Sequence, residues 1–287
     1  MIPVVNIEKY MKREIAGVGQ EDNIQTVRNL MLKEDISRLL VIEDNKAVGI
    51  VTKKDIARRL AQTRAPWQRR PIDKISVSRI MSTELKSLPP DTRLEDTARF
   101  MIKESISSVP VIDGDNRLLG IITTTDLIRA FAENLEGVYK NRDLMTGNVI
   151  TANRYHSLYH IVTLMEENSI SRVVISDGNK PVGIITVTDL SFLDLNDPEK
   201  GLKMKKIMYV RKPQRDSRAS YRYVLHSPLT AEDVITENLI TTTEDEDCSR
   251  TAATMLKNGI SSLPVVKDDE LVGIITKKDL VRGMAKR

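Results

Sequence analysis

Apolar and polar positions alternate along this chain in a pattern that predicts both helices and strands. Leu94, Ala98 and Met101 have the i, i+4, i+7 spacing of one helix face. Two apolar runs follow, residues 109–112 and 118–122, and the polar turn between them is typical of a β-hairpin. With an extended stretch before this helix and a second helix after the hairpin, the order is strand, helix, strand, strand, helix. The predicted fold class is α/β.

This pattern occurs four times in tandem, and each copy ends with Gly-x-x-Thr-x-x-Asp. One copy spans only about fifty residues, which is too few for a comfortably stable core, so the copies are expected to pair. The second helix is predicted to start at the Thr-x-x-Asp. The repeated positions are the glycines Gly49, Gly120, Gly183 and Gly273, the threonines Thr52, Thr123, Thr186 and Thr276, and the aspartates Asp55, Asp126, Asp189 and Asp279.

Small differences between the copies indicate which ones pair. Copies one and three carry an arginine after Ile-Ser, namely Arg38 and Arg172, where copies two and four have Ser108 and Ser262. The chain is therefore predicted to be a duplicated pair. The first pair is assigned to residues 1–132, with copies at 15–61 and 80–132 and a spacer at 62–79, and the second to 133–287, with copies at 144–193 and 233–287 and a spacer at 194–232.

These motifs resemble the CBS-domain family, in which tandem pairs form what is called a Bateman module. The openings Ile80-Met81-Ser82 and Leu144-Met145-Thr146 also look like the start of a CBS unit, and residues 15–18 offer a weaker version for copy one. The resemblance implies four tandem CBS units in two Bateman modules, like the four-CBS stand-alone proteins of archaea. It also implies a non-catalytic regulatory protein that binds AMP, ADP or ATP in clefts between units and signals energy state to a partner.

In nucleotide-binding members of the family, the motif aspartate holds the ribose hydroxyls, and the threonine and a basic residue lie near the phosphates. A carboxylate accepts hydrogen bonds well from two hydroxyls, and a helix start offers free amides to anionic oxygens. The alternative is structural, because Thr-x-x-Asp is also a helix capping box, and the threonine could serve both roles. The expected ribose-side residues are Asp55, Asp126, Asp189 and Asp279, and the phosphate-side residues are Arg38, Arg172, Thr52, Thr123, Thr125, Thr186, Thr188 and Thr276.

Charge is placed unevenly along the chain. The formal net charge is +4, yet residues 53–79 hold 9 basic and 2 acidic side chains, and residues 200–223 hold 9 basic and 1 acidic. Aromatic residues such as Trp67 and Tyr209 interleave with these charges, which suits a phosphate backbone with stackable bases. The alternative function is therefore an RNA-binding or ribosome-binding dormancy factor, like some archaeal proteins made of such repeats. A solvated linker is the plain alternative. The RNA-binding candidates are Arg69, Arg70, Lys205, Lys206, Arg211, Lys212, Arg215 and Arg218.

Composition and the remaining reactive side chains argue against an enzyme, a metal protein or a membrane protein. Aromatic residues make up 4% of the chain, so the core must be aliphatic. Cys248 has core spacing on a predicted helix, which favours buried packing over a nucleophile. His156 and His160 have no metal-ligand partners at the required spacing, and a surface pair is expected. We therefore expect no catalytic residues, no metal, no membrane span and a cytoplasmic location, with either a monomeric disc or a homodimer as the assembly.

Overall fold

The computed structural model describes most of the chain and confirms the mixed α/β repeat. The described residues fall into two compact bodies. The first comprises residues 1–147, 242–265 and 273–287, and the second comprises residues 148–241 and 266–272. Within those limits the structure describes residues 5–34, 36–44, 46–53, 55–56, 59, 72–115, 117–191, 206–209, 222–225, 229–235 and 239–287.

Copy one contains β1 (Gly17–Val18), α1 (Ile24–Lys33), β2 (Arg38–Glu43) and β3 (Lys46–Thr52). The strand β1 pairs parallel with β2, and β2 pairs antiparallel with β3 as the predicted hairpin. Helix α1 begins where the side chain of Asn23 accepts a hydrogen bond from the Thr26 amide, which satisfies one of the free N–H groups of the first turn. Its apolar face covers the sheet.

Copy two contains α2 (Leu94–Lys103), β4 (Ser108–Ile112), β5 (Leu118–Thr123) and α3 (Thr124–Asn134). Its predicted first strand is reduced to one parallel bridge, Leu88 with Val111. The hairpin contains a β-bulge between Val111 and Ile112.

Copies three and four follow the same order. The short helix α4 (Asn141–Leu144) leads into copy three. Copy three itself contains β6 (Thr151–Ala152), α5 (Leu158–Glu167), β7 (Arg172–Asp177), β8 (Lys180–Thr186) and α6 (Val187–Ser191). A separate antiparallel hairpin, β9 (Lys206–Tyr209) with β10 (Arg222–Leu225), follows it. Copy four contains β11 (Thr242–Thr243), α7 (Cys248–Lys257), β12 (Ser262–Lys267), β13 (Glu270–Thr276) and α8 (Lys277–Ala285).

Each copy is completed by the segment that precedes another copy. Backbone atoms of Lys12, just before copy one, bridge to Ile121 in copy two, and Ser82, in the opening of copy two, bridges to Ile50 in copy one. In the same way Thr146 bridges to Ile274 of copy four, and Ser157 of copy three bridges to Thr230. The copies are therefore linked by reciprocal exchange of their leading segments. This exchange explains how units of about fifty residues obtain a sufficient core.

The exchange also accounts for the repeated motif glycine. A Cβ atom on Gly120 would lie 2.7 Å from the carbonyl oxygen of Lys12, and one on Gly273 would lie 2.8 Å from Met145 Sδ. Any side chain at these positions would clash with the exchanged segment, so the close approach requires glycine. The counterpart of the Met81 and Met145 openings is consequently Met11, which lies 3.0 Å from the same point above Gly120. Residues 15–18, the weaker opening predicted for copy one, contain β1 itself, and Met11 occupies the place of the opening methionine.

Copies two and four pack directly on each other within the first body. Helix α2 packs on α8, and α3 packs on both α7 and α8. Arg99 Nε donates to the carbonyl oxygen of Ala285 at 2.9 Å across this interface. Phe131 of α3 is fully buried, in a core that is otherwise mostly aliphatic, as predicted.

Candidate nucleotide pocket

A pocket of about 820 Å³ lies in the first body, between copies one and two. This volume is within the range of sites for drug-sized ligands. Copy one contributes Arg38 from the start of β2, and copy two contributes Thr123 and Thr125 from the start of α3. The exchanged segment from Lys12 to Ala16 forms a further wall. The complete lining is Lys12, Arg13, Glu14, Ile15, Ala16, Glu34, Ile36, Ser37, Arg38, Leu40, Ile121, Thr123 and Thr125.

Arg38 connects the two copies at this pocket. Its Nη1 donates a short hydrogen bond to the carbonyl oxygen of Ser107 in copy two. The same oxygen accepts the Thr124 amide at 3.0 Å, which positions the start of α3. Burial lowers the pKa of the Arg38 guanidinium below its ordinary value, and the negative charge of Asp126 opposes that effect. The pocket therefore holds a cation that is partly removed from water, where attraction to an anion is stronger than in bulk solvent.

The motif aspartate forms a helix cap in all four copies. In copy two, Asp126 Oδ2 accepts hydrogen bonds from the Thr123 amide at 2.9 Å and from Thr123 Oγ1 at 2.6 Å. The same contacts join Asp55 to Thr52, Asp189 to Thr186 and Asp279 to Thr276. The motif therefore forms the helix cap of the structural alternative. The cap uses Oδ2, so any contact with a ligand would have to be made by the second carboxylate oxygen, Oδ1.

The four aspartates differ in burial and in the use of that second oxygen. Asp126 is fully buried and its Oδ1 accepts from Arg129 Nη1 at 3.2 Å, and Asp279 is 5% exposed with an equivalent bond from Arg282. Asp189 in the second body is exposed. An exposed carboxylate is accessible to the hydroxyl groups of a ligand.

The pocket brings together only part of the predicted set. It unites Arg38, Thr123 and Thr125, and Asp126 lies behind them without lining the pocket. The remaining motif residues lie in their own copies: Thr52 and Asp55 at the end of β3, Arg172, Thr186, Thr188 and Asp189 in copy three, and Thr276 and Asp279 at the start of α8.

Thr125 also contacts copy four, because Lys277 Nζ lies 3.2 Å from its Oγ1. This contact connects the pocket to the packing between copies two and four.

The basic spacers are mostly outside the described residues. This applies to Arg69, Arg70, Lys205, Arg211, Lys212, Arg215 and Arg218. Lys206 is described only as the first residue of β9, whose backbone pairs with Leu225 in β10. The predicted RNA-binding residues therefore stay predictions.

Cys248 and the two histidines considered in the sequence analysis lie outside the pocket. Cys248 is buried, and burial raises the pKa of its thiol to about 12. His156 and His160 are exposed and their rings lie 4.5 Å apart between centroids. Across the part of the chain that the structure describes, no three His, Cys, Asp or Glu side chains are arranged to hold a metal ion. Nor is any helix there long and apolar enough to span a membrane.

Two features of the pocket were missed at the sequence level. The wall from Lys12 to Glu14 was not anticipated, although Met11, Met81 and Met145 repeat with the same spacing as Met31, Met101 and Met165 on the first helix of each copy. The second feature is the size of Ala16, whose equivalent before the copy-two bridge is Lys86. Lys86 pairs with Glu104 by a short contact, and this hydrogen bond lowers the pKa of the Glu104 carboxyl. A small residue at position 16 leaves that volume open in the pocket.

The fold and this site define a class of repeat proteins. Four matches to the CBS domain family cover residues 7–62, 77–133, 142–195 and 231–286, more than three quarters of the chain. The chain belongs to the CBS-domain family.

Similar proteins extend over the whole chain. Protein MJ1225 of Methanocaldococcus jannaschii is 25% identical over 284 residues, which is 95% of this chain and 96% of that protein. Its crystal structure, described as that of a proposed archaeal homolog of g-AMPK, superposes with a TM-score of 0.74 at 23% identity, covering 98% of this chain and all of that one. A conserved protein from Pyrococcus horikoshii gives a TM-score of 0.66 at 18% identity, with the same coverage.

Matches to enzymes are partial. The L-aspartate semialdehyde sulfurtransferase of Methanocaldococcus jannaschii is 34% identical over 116 residues, which is 38% of this chain and 22% of the enzyme. The shared part is thus a minor portion of that enzyme.

Proposed function

We propose that the protein is a non-catalytic regulator that binds an adenine nucleotide (AMP, ADP or ATP) in the pocket between copies one and two. The observation that carries this proposal is the meeting of Arg38 with Thr123 and Thr125 around a volume of about 820 Å³. Two hydroxyls and a partly buried guanidinium suit the oxygens of a phosphate group. The apolar side chains of Ile15, Ile36 and Leu40 offer a surface for a base.

Binding in this pocket would change how copies one and two are held together. Arg38 donates to Ser107 in the other copy, and the Lys12 segment is hydrogen-bonded to Ile121. A ligand phosphate would compete with the Ser107 carbonyl for Arg38. A ligand that contacts the Lys12 segment would also make the contact between the two copies more rigid. A partner protein would read this change as a signal of energy state. The proposed homology of MJ1225 to g-AMPK agrees with this role.

The ribose role of the aspartates is part of the same proposal. Asp189, exposed and with an arginine, Arg172, in its own copy, is the first choice for an occupied site outside the pocket. Asp126 would reach a ribose only if Arg129 released its Oδ1. Asp55 and Asp279 are assigned the same role in their copies.

Isothermal titration calorimetry of the full chain with AMP, ADP and ATP tests the proposal. We expect at least one of the three to bind with a dissociation constant below about 1 mM, which corresponds to about 4 kcal/mol. Absence of heat with all three nucleotides, at protein concentrations that would reveal such binding, would refute the nucleotide-sensing function.

A second candidate function is binding of RNA or the ribosome through the basic spacers. The observation in its favour is that Lys206–Tyr209 and Arg222–Leu225, both within the second spacer, pair as an antiparallel hairpin. Co-sedimentation with ribosomal subunits at two salt concentrations tests it, because phosphate contacts weaken steeply with salt. Sedimentation that survives replacement of Arg211, Lys212 and Arg215 by glutamine would remove this candidate.

A further inference from the structure

Acidic side chains line the same pocket as the cation expected to hold a phosphate. Glu14 and Glu34 are lining residues together with Lys12, Arg13 and Arg38. The charge of Arg13 is shared with Glu8, whose Oε1 lies 2.9 Å from Arg13 Nη2. The pocket therefore has a mixed potential and does not resemble a uniformly basic site for a polyphosphate.

The position of Glu34 is a carboxylate in copies one and two and an amide in copies three and four. Glu34 is the C-cap residue of α1, and the C-cap residues of α2, α5 and α7 are Glu104, Asn168 and Asn258. Copies three and four thus have a neutral amide where copy one has a carboxylate.

In copy two the equivalent carboxylate, Glu104, forms an ion pair with a lysine of the same copy. Lys86 pairs with Glu104, whereas the residue equivalent to Lys86 in copy one is Ala16. Among the described residues, Glu34 is paired with Lys33, whose Nζ lies 3.6 Å from Glu34 Oε1 and whose side chain is 79% exposed. A pair with that exposure is strongly screened by solvent and leaves much of the Glu34 charge uncompensated toward the pocket.

We propose that Glu34 makes this pocket selective for nucleoside monophosphates over nucleoside polyphosphates. The inference rests on the proposed nucleotide binding in the same pocket. Arg38 can balance one phosphate group, and each further phosphate adds negative charge within range of Glu34 and Glu14. ATP carries about two more negative charges than AMP at neutral pH, so the same carboxylate penalises ATP more.

Calorimetric titration of AMP and ATP into wild type, Glu34→Gln and Glu136→Gln tests the inference. Glu136 is exposed, belongs to the same body and does not line the pocket, so its replacement makes the same change in net charge. We expect wild type to bind AMP more tightly than ATP. Glu34→Gln should raise the affinity for ATP by roughly 10-fold more than that for AMP, and raising the salt concentration should reduce this difference. Glu136→Gln should leave the ratio unchanged.

The outcomes separate the two proposals. If wild type binds none of the adenine nucleotides, the proposed function fails. If wild type binds but Glu34→Gln leaves the ratio of AMP to ATP affinity as it was, or if wild type prefers ATP, the nucleotide function stands and the selectivity assigned to Glu34 is overturned. Thermal unfolding of both variants checks that each retains the folded state. Glu34 has a side chain that is 46% exposed, so the substitution leaves the core intact.

Discussion

Lys12 and Ile121 exchange two backbone hydrogen bonds, each 2.9 Å long, although they belong to different copies of the repeat. This pair holds the exchanged segment against the hairpin of copy two directly beside Gly120. The absence of a side chain at Gly120 is what allows the two backbones to approach.

Replacing Gly120 by alanine should therefore weaken the backbone pairing between copies one and two. The new Cβ would lie 2.7 Å from the Lys12 carbonyl oxygen, and a backbone atom cannot move away cheaply. Overpacking of this kind costs about 1–3 kcal/mol, which urea unfolding will measure. The matched control is Gly114→Ala, since a Cβ there has no atom within 4 Å. Equal stability of the two variants would contradict the role assigned to the motif glycine.

The motif aspartates should respond unequally to conversion to asparagine. Asp126 is fully buried and accepts three hydrogen bonds, so Asp126→Asn loses charge-assisted bonds in a place without water. We expect a loss of about 2 kcal/mol in the free energy of unfolding. Asp189 makes the same cap but is exposed, so Asp189→Asn should cost less than about 1 kcal/mol. Urea unfolding of both variants measures the difference, and an equal loss would show that burial does not distinguish them.

The repeat predicted the fold well, because the spacing of apolar residues fixes each helix and hairpin locally. The four Thr-x-x-Asp caps were also readable, since a capping box involves residues three positions apart. The backbone pairing between copies one and two could not be predicted in this way. Lys12 and Ile121 are more than a hundred residues apart, and no local pattern reveals that they pair. The pocket wall at Ala16 depends on the same long-range contact.

Arg38→Gln should weaken nucleotide binding if the pocket is the site. The substitution removes a guanidinium that burial has partly desolvated, and hydrogen bonds to charged groups contribute about 1.5–3 kcal/mol each. This corresponds to a loss of roughly 10- to 100-fold in affinity by calorimetry. Arg117→Gln is the control with the same change in charge, because Arg117 is exposed and does not line the pocket. A loss of the same size in both variants would point to general electrostatics in place of a specific contact.

Cys248 should resist alkylation in the folded protein. Its Sγ lies 3.5 Å from Asn141 Oδ1 in a buried network, and burial, with the charges of Asp247 and Asp143, raises its pKa to about 12. The thiolate is the reactive form, and at pH 8 a thiol with this pKa is ionised to only about 0.01%, compared with about a quarter for a free cysteine. Because the folded chain holds the thiol protonated, raising the pH above about 8.5 should also favour the unfolded state. Mass spectrometry after iodoacetamide treatment, with and without urea, measures the difference, and rapid labelling without urea would show that the thiol is accessible in the folded chain.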